Sequence, residues 1–482
     1  MNIIEEYKTL QTRRQFFSQG KNLLGTVALG SLLGSGSSAS AGEGVVKTHF
    51  PAKAKRVIYL HMVGGPAQMD LFDHKPKMKD FYDKELPDSI RKGQRLTTMT
   101  SGQKRFPVAP SKFKFGPAGE CGMMMNTELL PNLAKKADDI CWMRTLHTEA
   151  INHEPAIAAM QTGNQVPGRP CLGSWASYGL GSDNENLPAF VVLVAVPSNR
   201  DQEQAISSRL WGSGYLPGEH AGVSFRSAGD PILYINNPAG VPVAIRKSTI
   251  NNINALNEIN FKAVGDPETQ TRIRQYEMAF KMQASVPELT DLSTESDHTF
   301  KLYGEEAKKL GTFANTVLMA RRLAERGVRF IQIYHNNWDH HGNVAGRMPS
   351  QCKDVDQPCA ALIADLKQRG MFEDTLIIWG GEFGRTIYSQ GTLSMTNYGR
   401  DHHPRCFSMW MAGGGAKGGA IYGETDDFSY NIVKEPVHIR DFHATVMQLL
   451  GYDHEQLSYK YQGLNQRLTG VLPAHVIKEL VL

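Results

Sequence analysis

Apolar residues along this chain fall into short unbroken runs, and the longer segments between the later runs carry a helical period. The first run, Arg-Val-Ile-Tyr-Leu-His-Met at residues 56–62, reads as a strand buried on both faces. The Gly64-Gly65-Pro66 turn ends it. Residues 140–146 and 189–196 are further strands of the same kind, whereas the Gly-, Pro- and Lys-rich stretch from 75 to 119 reads as loops. Residues 132–139 are expected to be helical. A helix opens at 154–160, with Pro155 in its first turn, where proline is tolerated. Residues 266–327 are largely helical, and a plain alternation follows: strand 328–334, helix 355–369, strand 375–379, strand 406–411, helix 439–450. Continuously apolar strands alternating with helices predict a mainly parallel sheet covered on both faces, a three-layer α/β/α fold. One domain over residues 56–475 with a short tail, 476–482, is the economical division.

The N-terminus changes the picture of where the protein works. Thr12-Arg13-Arg14-Gln15-Phe16-Phe17 precedes a mildly apolar run at 23–33 and an Ala39-Ser40-Ala41 exit. This pattern predicts a twin-arginine signal peptide at 1–41, a linker at 42–55, and export to the periplasm or an equivalent compartment by the twin-arginine translocase. The run is too short and too rich in Gly and Ser to span a bilayer stably, and no other segment approaches ~18 apolar residues. The 52 basic and 48 acidic residues nearly cancel, giving +4. With no basic run or basic-aromatic interleaving, a nucleic-acid partner is not expected. The six cysteines form no C-x-x-C pair, so a zinc finger is not indicated.

The chemistry lies in polar residues placed directly after apolar strands, where open parallel sheets bind ligands. His61 closes the first strand, with Asp70 and Asp73 close behind. His335, Asp339, His340 and His341 follow strand 328–334, and Glu382 and Arg385 follow strand 375–379. Arg400, Asp401, His402 and His403 precede strand 406–411. Imidazole and carboxylate suit a divalent metal such as zinc, manganese or iron. The expected ligands are Asp339, His341, Glu382 and His402, supported by His61 and His403. Either His335 or His340 is close enough in sequence to replace one of them. Arg385 and Arg400 are candidates to hold a tetrahedral oxyanion by bidentate hydrogen bonds.

These motifs resemble the domain-of-unknown-function 1501 family, placed with the alkaline-phosphatase/sulfatase superfamily. The resemblance runs through His61-Met-Val-Gly-Gly-Pro, Asp70-Leu-Phe-Asp73, Asn152-His153-Glu154-Pro155, Trp338-Asp339-His340-His341-Gly342, Gly381-Glu382-Phe383-Gly384-Arg385-Thr386, Gly399-Arg400-Asp401-His402-His403-Pro404 and Asp441-Phe442-His443. It implies an alkaline-phosphatase-like domain and a divalent metal (zinc, manganese or calcium). The implied reaction is hydrolysis of a sulfate or phosphate ester of a small molecule or carbohydrate. Residues 153–163 are similar to the sulfatase Cys-x-Pro-x-Arg segment, with His153 where the formylglycine-forming Cys would stand and Ile157 replacing Arg. Formylglycine chemistry is therefore excluded, and Ala67 stands where many relatives carry Ser. His153 becomes the candidate catalytic residue, as ligand, acceptor or general acid/base. Thr145 and Thr148 are secondary nucleophile candidates. Alternatives are a non-catalytic exported binding protein, or phosphodiesterase- or phosphomutase-type activity on the same scaffold.

Overall fold

The computed structural model describes residues 46–482 except 202, 227–230, 233–236, 238–239 and 395. The twin-arginine segment and the first four residues of the linker, 42–45, lie outside the described residues. The chain divides into two units. Among the described residues the smaller includes Asn237–Glu277, with a helix, Val243–Val264. The larger comprises Val46–Asn236 and Met278–Leu482 and holds every residue of the candidate site described below.

The larger unit is built on strands β1 (Arg56–Met62), β2 (Ile140–His147), β3 (Phe190–Ala195), β4 (Val223–Phe225), β5 (Phe330–His335), β6 (Thr375–Gly380), β7 (Gly384–Gln390), β8 (Gly399–His403), β9 (Phe407–Ala412), β10 (Ile421–Tyr422) and β11 (Val437–His438). Its main helices are α1 (His153–Thr162), α2 (Leu172–Leu180), α3 (Phe313–Glu325), α4 (Val344–Gln368) and α5 (Ile439–Leu449). A nine-stranded sheet runs in the order β10-β2-β9-β6-β1-β5-β3-β4, with β11 also on β2. Every pairing is parallel except those of β9, which is antiparallel to both β6 and β2.

Alternation along β1 shows why both faces are covered. Ile58, Leu60 and Met62 pack into one apolar layer with α3 and α4, and Val57 and Tyr59 into the other with α1, α2 and α5. Each such side chain taken fully out of water contributes roughly 1.5–3 kcal/mol. The expected three-layer, mainly parallel α/β/α architecture is present. Register brings the ends of four strands, β3, β5, β1 and β6, to one rim: Met62 pairs with His335, His61 with Gly380, and Ala195 with His335.

Two differences from the sequence reading matter for the site. Helix α4 starts at Val344 rather than 355 and continues through Pro349 and Pro358. Asn343, at φ 51°, caps it by accepting the Gly346 N–H at 3.2 Å. Residues 399–403, read as a segment leading into a sheet strand, instead pair with β7 in a separate two-stranded hairpin.

Candidate metal centre

The loop after β5 delivers the first donor. Trp338 is buried, donates its backbone N–H to Val63 O at 3.1 Å, and donates its indole N–H to His335 Nδ1 at 2.9 Å. Tight turns follow, with His340 N–H on Trp338 O and His341 N–H on Asp339 O, so Asp339 and His341 both reach the rim. Gly64, at φ 116°, lets the end of β1 lie directly against this loop, since a Cβ there would strike the Trp338–Asp339 backbone. The hairpin is tied to the same loop by Arg400 N–H on His340 O at 3.0 Å. In a regular strand positions 400 and 402 share a face. The pairing of β8 with β7 shifts register between them, and the two side chains go to different destinations.

Four side chains converge. Ligand-type atoms of His153, Asp339, His341 and His402 all lie within 4.8 Å of one another. The Nε2 atoms of His153, His341 and His402 stand 3.2, 2.8 and 3.5 Å from Asp339 Oδ1. None of these buried nitrogens finds hydrogen-bond geometry. Their other nitrogens are anchored: His153 Nδ1 to Glu382 Oε1 at 2.6 Å, His341 Nδ1 to Gln390 Oε1 at 2.5 Å, His402 Nδ1 to Ile151 O at 2.7 Å. An imidazole donating Nδ1–H to an oxygen turns its Nε2 lone pair outward, the arrangement of metal-binding histidines. Three orphaned, pre-oriented nitrogens around one carboxylate oxygen fit a cation.

The carboxylates are held by their surroundings. Burial would raise the Asp339 pKa, but Arg385 and the three histidines outweigh it and keep the group far below the usual carboxylate range. Arg385 donates to Asp339 Oδ1 at 2.6 Å, and Gln204 Nε2 donates to Oδ2 at 2.9 Å. Burial also works against ionised Glu382, and His153 overcomes it, leaving that pKa lowered. For His153, burial favours the neutral ring, yet the Asp339 and Glu382 carboxylates win and raise its pKa. His402 goes the other way, lowered to about 4 by burial.

The remaining expected site residues occupy other places. Glu382 stands behind His153, where it also accepts the Gly64 N–H at 2.9 Å. His61 lies one step further in, its Nε2 3.6 Å from Glu382 Oε2. His403 turns away, stacked on Tyr430 and bonded through Nε2 to Tyr430 O at 2.7 Å. Arg385 spends its guanidinium on Gly64 O, Gly65 O, Arg400 O and Asp339. Arg400 is fully buried and pairs with Asp70 at 2.6 Å, with its other donors on Thr386 O and Ala109 O. Asp73 accepts the Thr425 and Ser429 hydroxyls at 2.5 Å. His335 is taken by Trp338 and lies 3.3 Å from Asp354, while the buried His340 ring joins none of the four donors. The Thr145 hydroxyl donates to Glu435 O at 2.6 Å. Gln204 and Gln390 were not anticipated, because glutamine in a loop or at a strand end carries no signal of its own.

The sequence matches the family described as "Protein of unknown function (DUF1501)" over residues 54–481. The chain belongs to the DUF1501 family. No curated protein matches it in sequence. Solved structures to which this DUF1501 chain is similar include the PsFucS1 sulfatase from Pseudoalteromonas sp., at 12% identity and TM-score 0.33, covering 83% of this chain and 68% of that one. Another is an alkaline phosphatase superfamily protein from Vibrio parahaemolyticus, at 10% identity and TM-score 0.35, covering 85% and 70%. A third is the phosphonate monoester hydrolase SpPMH from Silicibacter pomeroyi, at 12% identity and TM-score 0.30, covering 87% and 77%.

Proposed function

We propose that this DUF1501 protein holds one divalent transition-metal ion on His153, Asp339, His341 and His402 and hydrolyses a sulfate or phosphate ester, with water as nucleophile. The observation that carries the reading is the set of three orphaned Nε2 atoms facing one carboxylate oxygen. Three nitrogen donors and one oxygen favour zinc, manganese or iron over calcium, which takes six to eight oxygens. Once bound, such an ion supplies Lewis acidity toward an ester oxygen and makes a water a competent nucleophile near neutral pH. The chain's own residues set the geometry. Glu382 fixes the His153 tautomer, Gln390 and Ile151 O fix those of His341 and His402, and Arg385 with Gln204 orients Asp339. With His153 as a ligand, the place of a covalent nucleophile is filled by a donor.

Elemental analysis of the purified protein, followed by assays on aryl sulfates, aryl phosphates and aryl phosphonates, tests this. One transition-metal equivalent, with turnover abolished in His402→Ala, is the expected result. A metal-free protein, or turnover unchanged in His402→Ala, overturns it.

A binding role without turnover is favoured by one observation: Arg385 and Arg400, the expected oxyanion donors, are both consumed internally. Stoichiometric metal without turnover of any ester in the panel would select that role. Export by the twin-arginine route is proposed on Arg13-Arg14 and the following segment. No helix among the described residues is long and apolar enough to cross a membrane. Cell fractionation of an Arg13→Lys/Arg14→Lys variant should retain the protein in the cytoplasm, and unchanged export refutes the route.

A further inference from the structure

At the far end of α1 from His153 lies a cavity whose lining has a defined chemistry. The helix runs from His153 to Thr162, about 14 Å at 1.5 Å per residue. Just beyond it a cavity of about 440 Å³ opens, lined by Asn164, Arg169, Tyr215, Tyr461, Gln462 and Gln466 among others. This volume lies in the range of small-molecule sites.

Three features of the lining define its chemistry. First, the rings are aligned: Tyr215 stacks with Tyr461 at 5.1 Å between centroids and 20° between planes, and with Tyr459 at 6.4 Å and 17°. Tyr459 and Tyr461 sit on one strand of a small hairpin whose other strand ends at Gln466. Tyr461 keeps 39% of its surface exposed, which leaves aromatic area for a flat, weakly polar ring face. Second, the cavity offers a charge without a partner. The half-buried Arg169 guanidinium has no carboxylate in ion-pair range among the described residues, although it lies close enough to influence Tyr215. Third, no carboxylate lines the cavity, so its single charge is positive.

An aromatic platform bordered by amide groups and one unpaired guanidinium suits a ring dense in hydroxyls that bears a single anionic substituent. We infer that this cavity binds an anionic saccharide, with a sugar ring against Tyr461 and its sulfate or carboxylate on Arg169. A nucleoside polyphosphate would bring several charges to one cation, and a wholly apolar ligand would strand the guanidinium. The inference stands apart from the hydrolytic reading, since no residue of the metal centre lines the cavity.

Isothermal titration of the full exported chain with a chondroitin sulfate tetrasaccharide, tetragalacturonate, cellotetraose and AMP tests it. The sulfated and the uronate probes distinguish the two sources of negative charge. At least one of them should bind about tenfold more tightly than cellotetraose and AMP. Tyr461→Ala and Arg169→Gln, both at solvent-accessible positions, should each weaken that binding about tenfold. His402→Ala should leave it unchanged, which separates this site from the metal centre. Absence of binding by both anionic saccharides overturns the inference. So does preference for AMP or cellotetraose, or wild-type affinity in both cavity variants.

Discussion

Replacing Glu382 with Gln probes the centre without removing a donor. Glu382 is fully buried and touches the cluster only through His153, whose Nδ1 lies 2.6 Å from Oε1. Glutamine keeps the shape and still offers an oxygen to the imidazole N–H, but it loses the negative charge that makes the far nitrogen a better donor. Partners of this kind behind a ligand are worth roughly 10–100-fold in metal affinity. That corresponds to about 1.4–2.8 kcal/mol. The Gly64 N–H, which now bonds to both carboxylate oxygens at 2.9 and 3.2 Å, keeps one acceptor, so the fold should survive. The change also withdraws one of the two carboxylates that raise the His153 pKa, so protons compete less well with the ion at mildly acidic pH. Chelator-competition titration of zinc at several pH values reads both effects. The variant should bind more weakly at every pH, with a shallower loss on acidification. Wild-type affinity and pH dependence in Glu382→Gln would refute the placement of His153 as a ligand.

In the wild-type protein, metal affinity should rise with pH until the raised pKa of His153 is passed, then level off, because the ring must shed a proton to bind. Competition titrations that stay flat from about pH 5 to 8 would exclude this coupling. Arg400→Met should cost about 3–5 kcal/mol of stability in urea denaturation, since Asp70 is left charged and buried without its partner. The folded fraction of that variant should bind metal normally, and a selective loss of binding would show that Arg400 acts on the centre. Metal-free protein should lose stability on acidification. His61, His403 and His443 are each lowered to about 4 by burial, so the unfolded chain takes up protons below 6.5 that the native state refuses. Stability therefore rises with pH between these values, and each ring withdraws on the order of 3 kcal/mol by pH 4. Urea midpoints equal at pH 4.5 and pH 7 would contradict that sign.

The sheet was legible because its strands are apolar on both faces. Val57-Ile58-Tyr59-Leu60 and Phe330-Ile331 admit few other readings, and both are central strands. Asp339, His341 and His402 were legible for a related reason, as acid and histidine residues crowded beside such strands. The hairpin of β7 and β8 was not. Its residues are buried while carrying Arg, Thr, Ser, Asp and His, so they show neither alternation nor an apolar run. Several of their polar side chains are bonded by distant loops, as when Asp401 accepts the Thr97 and Thr100 hydroxyls at 2.5 Å. Position along the chain likewise could not separate Glu382 from the donors it supports, because that distinction depends on which atom of His153 faces it. Arg400 looked available for an anion until Asp70, far away in sequence, was found against it.

The four candidate donors come from three separate stretches, at residue 153, at 339–341 and at 402. An unfolded chain therefore presents no pre-assembled pocket to a passing ion. Under the proposed reading, selection of the metal would be deferred until the tertiary structure exists, and the supply of ions wherever the chain completes its folding would decide what is captured. A protein that crosses the membrane folded would carry out a choice made in the cytoplasm. One that folds afterwards would take whatever its surroundings offer, so a change of export route alone could change the element inside it.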